Sequence, residues 1–167
     1  QGEVDDQVVI DALLKLVPYA EEKNVTLLVE TNGVYTDTAR LSKLLNRVAS
    51  DFVAALWDMH HPYRFAGETP GKTVENLGAY IKYVQVKDSI MQDGKVAYRM
   101  MGEGDLPMDD MIRALRSINY EGFISLEWVK RYAPDLVDAG VVFPHFANYM
   151  SRYLEQAKTA GRLLDNK

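Results

Sequence analysis

Four short apolar segments of this sequence each end in a side chain whose oxygen atoms could bind a metal ion. The segments are LLVE, AALWD, YVQ and ISLE, and their last residues are Glu30, Asp58, Gln85 and Glu127. Successive members are roughly 27 to 42 residues apart, the length of a strand, a crossover helix and two loops. Parallel strands end at one edge of their sheet. The pattern therefore predicts βα units that direct four ligands to one face.

Strands and helices alternate around these positions. We predict strands over residues 25–30, 52–58, 83–87 and 123–128. We predict helices over residues 4–23 and 73–80, from Thr36 or Asp37 onward, and over residues 108–118 and 144–164, with a kink or restart at Pro18. The Pro- and Gly-containing stretch 60–71 and residues 130–144 are predicted to be irregular. Gln92-Asp93-Gly94-Lys95 predicts a hairpin turn between residues 89–91 and 96–100.

Composition narrows the class of protein. With 167 residues, 47% of them hydrophobic, the chain is long enough for a single domain over residues 1–167. No apolar run is long enough for a membrane helix, so we expect no membrane contact. The absence of cysteine suits a reducing compartment, and we expect the cytoplasm. A net charge of −5 without a basic cluster argues against nucleic acid as a partner.

Two α/β architectures fit alternating strands and helices. One is a small open doubly wound sheet, and the other is part of a (βα)8 TIM barrel. The long Gly-rich phosphate loop of a nucleotide-binding sheet is missing, because Gly102-x-Gly104 is too short. Residue patterning alone leaves both architectures open.

The ordered motifs VTLLVETN, ALWDMHHPY, YVQVKDS, MGEGD and GFISLEW resemble the xylose isomerase-like TIM-barrel family of sugar isomerases and epimerases. Their order is similar to that of the second half of the barrel. The resemblance implies one divalent metal held by Glu, Asp, His and Glu at the ends of strands five to eight. Glu30, Asp58 and Glu127 match the first, second and fourth of these positions. At the third position this chain has Gln85 where the family usually has His.

The resemblance also implies a ligand chemistry and a reaction. Three carboxylates and an amide oxygen favour Mn or Mg over Zn. Glu30 and Glu127 would be both ligands and acid/base groups in proton transfer next to a metal-polarised carbonyl of a sugar or sugar phosphate. His61 would contact the substrate, as in the family's Asp-x-x-His motif. Further predicted substrate contacts are Arg64, Lys87 and Arg131.

The number of strands leads to a further expectation. A full barrel has eight strands and about 250 residues, and we predict four strands here, so the chain is expected to form a half-barrel. Exposed strand edges favour self-association. We expect the parent protein to be an enzyme and this chain alone to be weakly active or inactive. Two alternatives stay open: an inosose-type dehydratase of the same family, and a catalytically inactive half-barrel fragment.

Overall fold

The computed structural model describes residues 3–165, with side chains from residue 3 to residue 153. Helices and strands alternate along most of the chain. The helices are α1 (Asp6–Lys23), α2 (Thr38–Val48), α3 (His60–Ala66), α4 (Pro70–Leu77), α5 (Met108–Ser117) and α6 (Ala139–Asp165). The strands are β1 (Leu27–Glu30), β2 (Val53–Asp58), β3 (Ile81–Val86), β4 (Asp88–Gln92), β5 (Lys95–Arg99) and β6 (Ile124–Leu126). Short 3-10 helices cover Gly33–Thr36 and Gly78–Tyr80.

The main sheet is parallel and has four strands in the order β1-β2-β3-β6. Glu30 pairs in register with Leu56, and Asp58 pairs with Gln85. Strands β4 and β5 form a separate antiparallel ribbon, so the hairpin around Gln92-Asp93-Gly94-Lys95 is confirmed. The predicted α/β class with about four strands in parallel βα units is therefore confirmed.

Contacts divide the chain into two compact units. The first comprises Gln1–Val86 and Met108–Ser125, and the second comprises Lys87–Pro107 and Leu126–Lys167. The first unit contains most of the parallel sheet and helices α1 to α5. The second contains the β4–β5 ribbon and α6. A single domain over residues 1–167 stays a prediction.

The core of the first unit is formed by amphipathic helices packed over the sheet. Helix α2 buries four apolar side chains that recur at helical spacing, namely Leu41, Leu44, Leu45 and Val48. The Asp37 carboxylate caps this helix by accepting a hydrogen bond of 3.0 Å from the Arg40 N–H. Strand β2 is nearly all buried, as expected for a strand covered on both faces. Asp58, the last residue of β2, thus lies on a strand that is held in place by packing.

The prediction of an irregular stretch over residues 60–71 is wrong. Two short helices, α3 and α4, occupy most of it. Pro62 lies in the first turn of α3 and Pro70 is the first residue of α4, where a missing N–H costs nothing. Gly67, with φ of 64°, ends α3 in the left-handed conformation that glycine adopts without strain. Proline and glycine here mark helix ends rather than a loop.

Other element boundaries shift by a few residues. Helix α1 runs through Pro18 without an interruption, and α6 begins at Ala139 rather than near Pro144. Strand β1 begins at Leu27 instead of residue 25. Among the residues described, no helix combines the length and the apolar character that crossing a lipid bilayer requires.

Candidate metal centre

Asp58 ends β2 and is fully buried, with 0% of its surface exposed. Its Oδ1 accepts a hydrogen bond of 2.9 Å from the His60 backbone N–H. The Thr31 hydroxyl accepts from the Asp58 N–H at 2.9 Å and lies 3.2 Å from the Asp58 carbonyl oxygen. Because Thr31 directly follows Glu30, this contact ties the end of β1 to the end of β2. The two predicted carboxylates are thereby held at neighbouring strand ends.

His61 lies beside both carboxylates. Its Nδ1 is 3.6 Å from Glu30 Oε1 and 3.6 Å from Asp58 Oδ2. One ligand atom from each of the three residues lies within 4.8 Å of the other two. His61 is buried, whereas the Glu30 side chain is 34% exposed. Asp58 and His61 are therefore enclosed by the protein, whereas the Glu30 side of the group is accessible to solvent.

The three side chains fit a divalent cation. Carboxylate oxygens and imidazole nitrogens bind such ions at about 2.0 to 2.2 Å, so two ligands of one ion lie no more than about 4.4 Å apart. The two distances of 3.6 Å from His61 Nδ1 already meet that limit, and the Glu30 and Asp58 ligand atoms, within 4.8 Å of each other, lie close to it. Moreover, a buried carboxylate such as Asp58 is costly unless it is hydrogen-bonded or paired with a cation. This donor set suits Mn, Mg or Zn by its chemistry.

His60 is a buried neighbour that sequence reasoning did not place in the site. It is 0% exposed, and it forms a second close group of possible ligands with Asp58 and His61. Its ring meets the His61 ring edge-on at 5.6 Å and the Phe65 ring at 5.5 Å. The available sequence signal was the pair of consecutive histidines shortly after Asp58, but the stretch that begins with them was predicted to be irregular.

Gln85 lies level with Asp58 on the adjacent strand. The two Cα atoms are register partners, and the Met59 N–H donates to the Gln85 carbonyl oxygen at 2.9 Å. The backbone of Gln85 therefore lies next to that of Asp58 at the end of β3. Coordination by its side-chain amide stays a prediction.

Lys87 and Glu127 form an ion pair in the second unit. The Lys87 ammonium donates to Glu127 Oε2. Only 2% of the Lys87 side chain is exposed, compared with 37% of that of Glu127. The carboxylate predicted as the fourth ligand therefore has a buried cation as a neighbour.

The two arginines predicted to contact the substrate pack on tyrosines that adjoin them in sequence. The Arg64 guanidinium lies 5.7 Å from the centre of the Tyr63 ring, and that of Arg131 lies 5.8 Å from the centre of the Tyr132 ring. Arg131 is exposed and Arg64 is half-buried. Substrate contact by either residue stays a prediction.

The sequence profile of the xylose isomerase-like TIM barrel family matches residues 1–143. The chain belongs to this family. The resemblance predicted from the motifs is thereby confirmed. No protein of curated function matches the sequence.

Solved structures show the same fold. An L-ribulose 3-epimerase structure aligns with a TM-score of 0.78 and 17% identity over 98% of this chain and 60% of its own. A D-psicose 3-epimerase with D-tagatose from Clostridium cellulolyticum H10 aligns with a TM-score of 0.70 and 17% identity, over 91% of this chain and 58% of its own. A probable 3-DHS dehydratase, AsbF, from Bacillus anthracis aligns with a TM-score of 0.63 and 20% identity, over 75% of this chain and 51% of its own. The chain thus spans between about half and three fifths of the length of these structures.

Proposed function

We propose that this chain carries the metal centre of a sugar or sugar phosphate isomerase or epimerase. The observation that carries the proposal is the convergence of Glu30, Asp58 and His61 at the ends of two adjacent parallel strands. Ligands in parallel α/β folds bind at this edge of the sheet. Membership of the family and the sugar epimerases among the similar structures support this class of substrate.

Each residue has a proposed role in proton transfer next to a carbonyl. A divalent ion, when bound, stabilises the negative charge that develops on the substrate oxygen. Glu30 and Glu127 remove and return the proton at carbon as general base and acid. Asp58, buried and hydrogen-bonded, would hold the ion, and Gln85 would supply a further oxygen. Mn or Mg is the ion that we propose, since most of the donors are oxygens.

The substrate side of the site is proposed to be formed by cationic and imidazole groups. His61, which lies beside the two carboxylates, would contact a sugar hydroxyl. Arg64 and Arg131 would bind hydroxyl groups or a phosphate, for which a guanidinium has suitable donors. Lys87, the fourth predicted contact, is 1% exposed and paired with Glu127, which leaves its ammonium less accessible to a sugar.

A dehydratase of a cyclic polyol is a second candidate. It would use the same ion and the same proton abstraction, followed by loss of a hydroxyl group. The observation in its favour is the similarity of fold to a probable 3-DHS dehydratase. A panel of ketoses, ketose phosphates and inososes separates the two, because epimerisation conserves mass whereas dehydration removes one water.

Metal binding is tested first by thermal unfolding with millimolar Mn. A ligand that binds only the folded chain raises its melting temperature. We expect Mn to raise that of the wild type and to have little effect on Asp58→Asn. Asp110→Asn is the matched control, because Asp110 is an exposed carboxylate paired with Arg113 and should leave the Mn effect intact. An unchanged wild-type melting temperature would contradict the proposal.

Turnover is tested on the same protein. We expect weak or undetectable activity, since about half of the loops that select the substrate in a full barrel lie beyond four βα units. Turnover at ordinary enzymatic rates, of about 1 per second or faster, would refute the expectation of a weakly active chain. It would also exclude the hypothesis that the chain is a catalytically inactive half-barrel fragment.

A further inference from the structure

Lys87 is one of the most deeply buried charged side chains among the described residues. It follows β3 directly and is 1% exposed. A buried ammonium is costly unless an anion and hydrogen bonds compensate for the lost water. The Glu127 carboxylate is a partner of this kind, because the Lys87 ammonium donates to its Oε2. A side chain so enclosed is poorly placed to meet a sugar that enters from solvent.

The adjacent carboxylate of Asp88 instead accepts hydrogen bonds from backbone N–H groups. Asp88 Oδ1 accepts from the Ser89 N–H at 2.8 Å, and Oδ2 accepts from the N–H groups of Gly102 and Gly104 at 2.9 and 3.0 Å. A longer contact of 3.4 Å joins Oδ1 to the Leu106 N–H. Asp88 thus fixes the chain directly after Lys87 to the turn that follows the β4–β5 ribbon. The Lys87 backbone is anchored while its side chain extends to Glu127.

We propose that Lys87 is a positioning residue that orients the Glu127 carboxylate for metal binding. The inference rests on the proposed metal centre. By binding Oε2, the ammonium restricts rotation of the carboxylate and directs the other oxygen, Oε1, to a single position. Groups that hydrogen-bond a metal ligand in this way fix its orientation, and their loss typically lowers metal affinity by about 10- to 100-fold. Lys87 therefore acts through Glu127 rather than on the sugar.

Two physical effects of Lys87 on a nearby dication oppose each other. Its positive charge repels the ion, so its removal would strengthen binding if charge alone mattered. Its hydrogen bond orders Glu127, so its removal would weaken binding if orientation dominates. The sign of the change in affinity therefore distinguishes a positioning role from a purely electrostatic one.

The test is titration of the metal-free full chain with Mn, followed by the electron paramagnetic resonance signal of the free ion. We expect Lys87→Met to weaken Mn binding by about tenfold. Lys87→Arg keeps the charge and the donors, so its Mn affinity should lie between those of Lys87→Met and the wild type. If Lys87→Met does not fold, as judged by circular dichroism, Lys87→Gln takes its place. Lys130→Met is the control: it removes a second ammonium of the same unit, a less buried one that is paired with Asp138, and should leave the affinity unchanged.

A double-mutant cycle with Glu127→Gln shows whether Lys87 acts through Glu127. In the Glu127→Gln background we expect Lys87→Met to change Mn affinity by less than about twofold. Equal or tighter binding by Lys87→Met in the wild-type background, or an undiminished loss in the Glu127→Gln background, would overturn the role of Lys87 alone. Failure of the wild type to bind millimolar Mn would overturn the proposed metal centre and this inference with it.

Discussion

Gly104 lies so close to the Asp88 carboxylate that a side chain does not fit between them. A Cβ atom at Gly104 would lie 2.0 Å from Asp88 Oδ1 and 2.6 Å from the Ser89 carbonyl oxygen. We therefore expect Gly104→Ala to lower the free energy of unfolding by about 1 to 3 kcal/mol, the usual cost of overpacking. Urea unfolding followed by circular dichroism measures the change.

Gly71→Ala is the matched control for this substitution. Gly71 lies in α4, and a Cβ there would meet no atom within 4 Å. Because alanine favours helix over glycine by up to about 1 kcal/mol, this variant should be neutral or stabilised. A Gly104→Ala chain as stable as Gly71→Ala would show that the Asp88 contacts do not constrain the turn.

At the residue scale, the sequence predicted the site best where one side chain ends an apolar strand. Glu30 and Asp58 are each the last residue of such a strand, and parallel pairing brings the two strand ends together. The contacts of His60 and Lys87 could not be predicted in this way. They depend on the start of α3 and on a partner 40 residues further along the chain. Neither feature has a local periodic signal.

At the scale of elements, α1 is fastened to α2 by a cluster of Asp6, Arg40 and Tyr35. Arg40 donates to both carboxylate oxygens of Asp6 and to the Val4 carbonyl oxygen, and the Tyr35 hydroxyl donates to Asp6. The hydrogen bonds from the Arg40 guanidinium lower the pKa of Asp6 below its ordinary value. Burial, followed by the hydrogen bond to Asp6, raises the pKa of Tyr35 to about 12.

The direction of the Asp6 shift predicts a pH dependence. Because the folded chain binds the Asp6 proton less tightly than the unfolded chain, the ion pair stabilises folding above the ordinary carboxyl pKa. This contribution is lost as the pH falls through the lowered value. We expect Asp6→Asn to be less stable than the wild type at pH 7, with the difference shrinking as the pH falls below the ordinary carboxyl pKa. Urea midpoints measured across this range check the prediction, and a difference independent of pH would contradict it.

The order and type of most elements followed from periodicity, whereas α3 did not. Helices α2 and α5 have clear apolar stripes, and the predicted strands correspond to β1, β2, β3 and β6. Helix α3 has only seven residues, too few for a periodic signal, and it contains Pro62. Such a short helix is stabilised by tertiary packing, which a local pattern does not report.

At the scale of the whole molecule, β1 and β6 are the two edges of the four-stranded sheet. Leu28 on β1 is 38% exposed, and Phe123, just before β6, is 78% exposed. Open parallel edges with apolar side chains favour pairing with another chain. We therefore propose that two copies associate through these edges, and light scattering of the dilute chain should give a mass near twice 18.9 kDa.

A charge on the β1 edge should weaken this association. We expect Leu28→Lys to shift the chain toward monomer, since lysine on an edge strand opposes pairing. Met91→Lys, which places the same charge at an exposed apolar position on the β4–β5 ribbon, is the control and should leave the mass unchanged. A wild-type chain that scatters as a monomer at all concentrations would contradict the proposal.

The central claim is that Glu30 and Asp58, which converge beside His61, hold a divalent cation. Anomalous diffraction from crystals of the chain soaked in manganese chloride tests it most directly. We predict an anomalous peak at about 2.0 to 2.3 Å from carboxylate oxygens of Glu30 and Asp58, and no such peak in Asp58→Asn crystals. The absence of a peak at these residues in wild-type crystals, or a peak only elsewhere on the chain, would contradict the account.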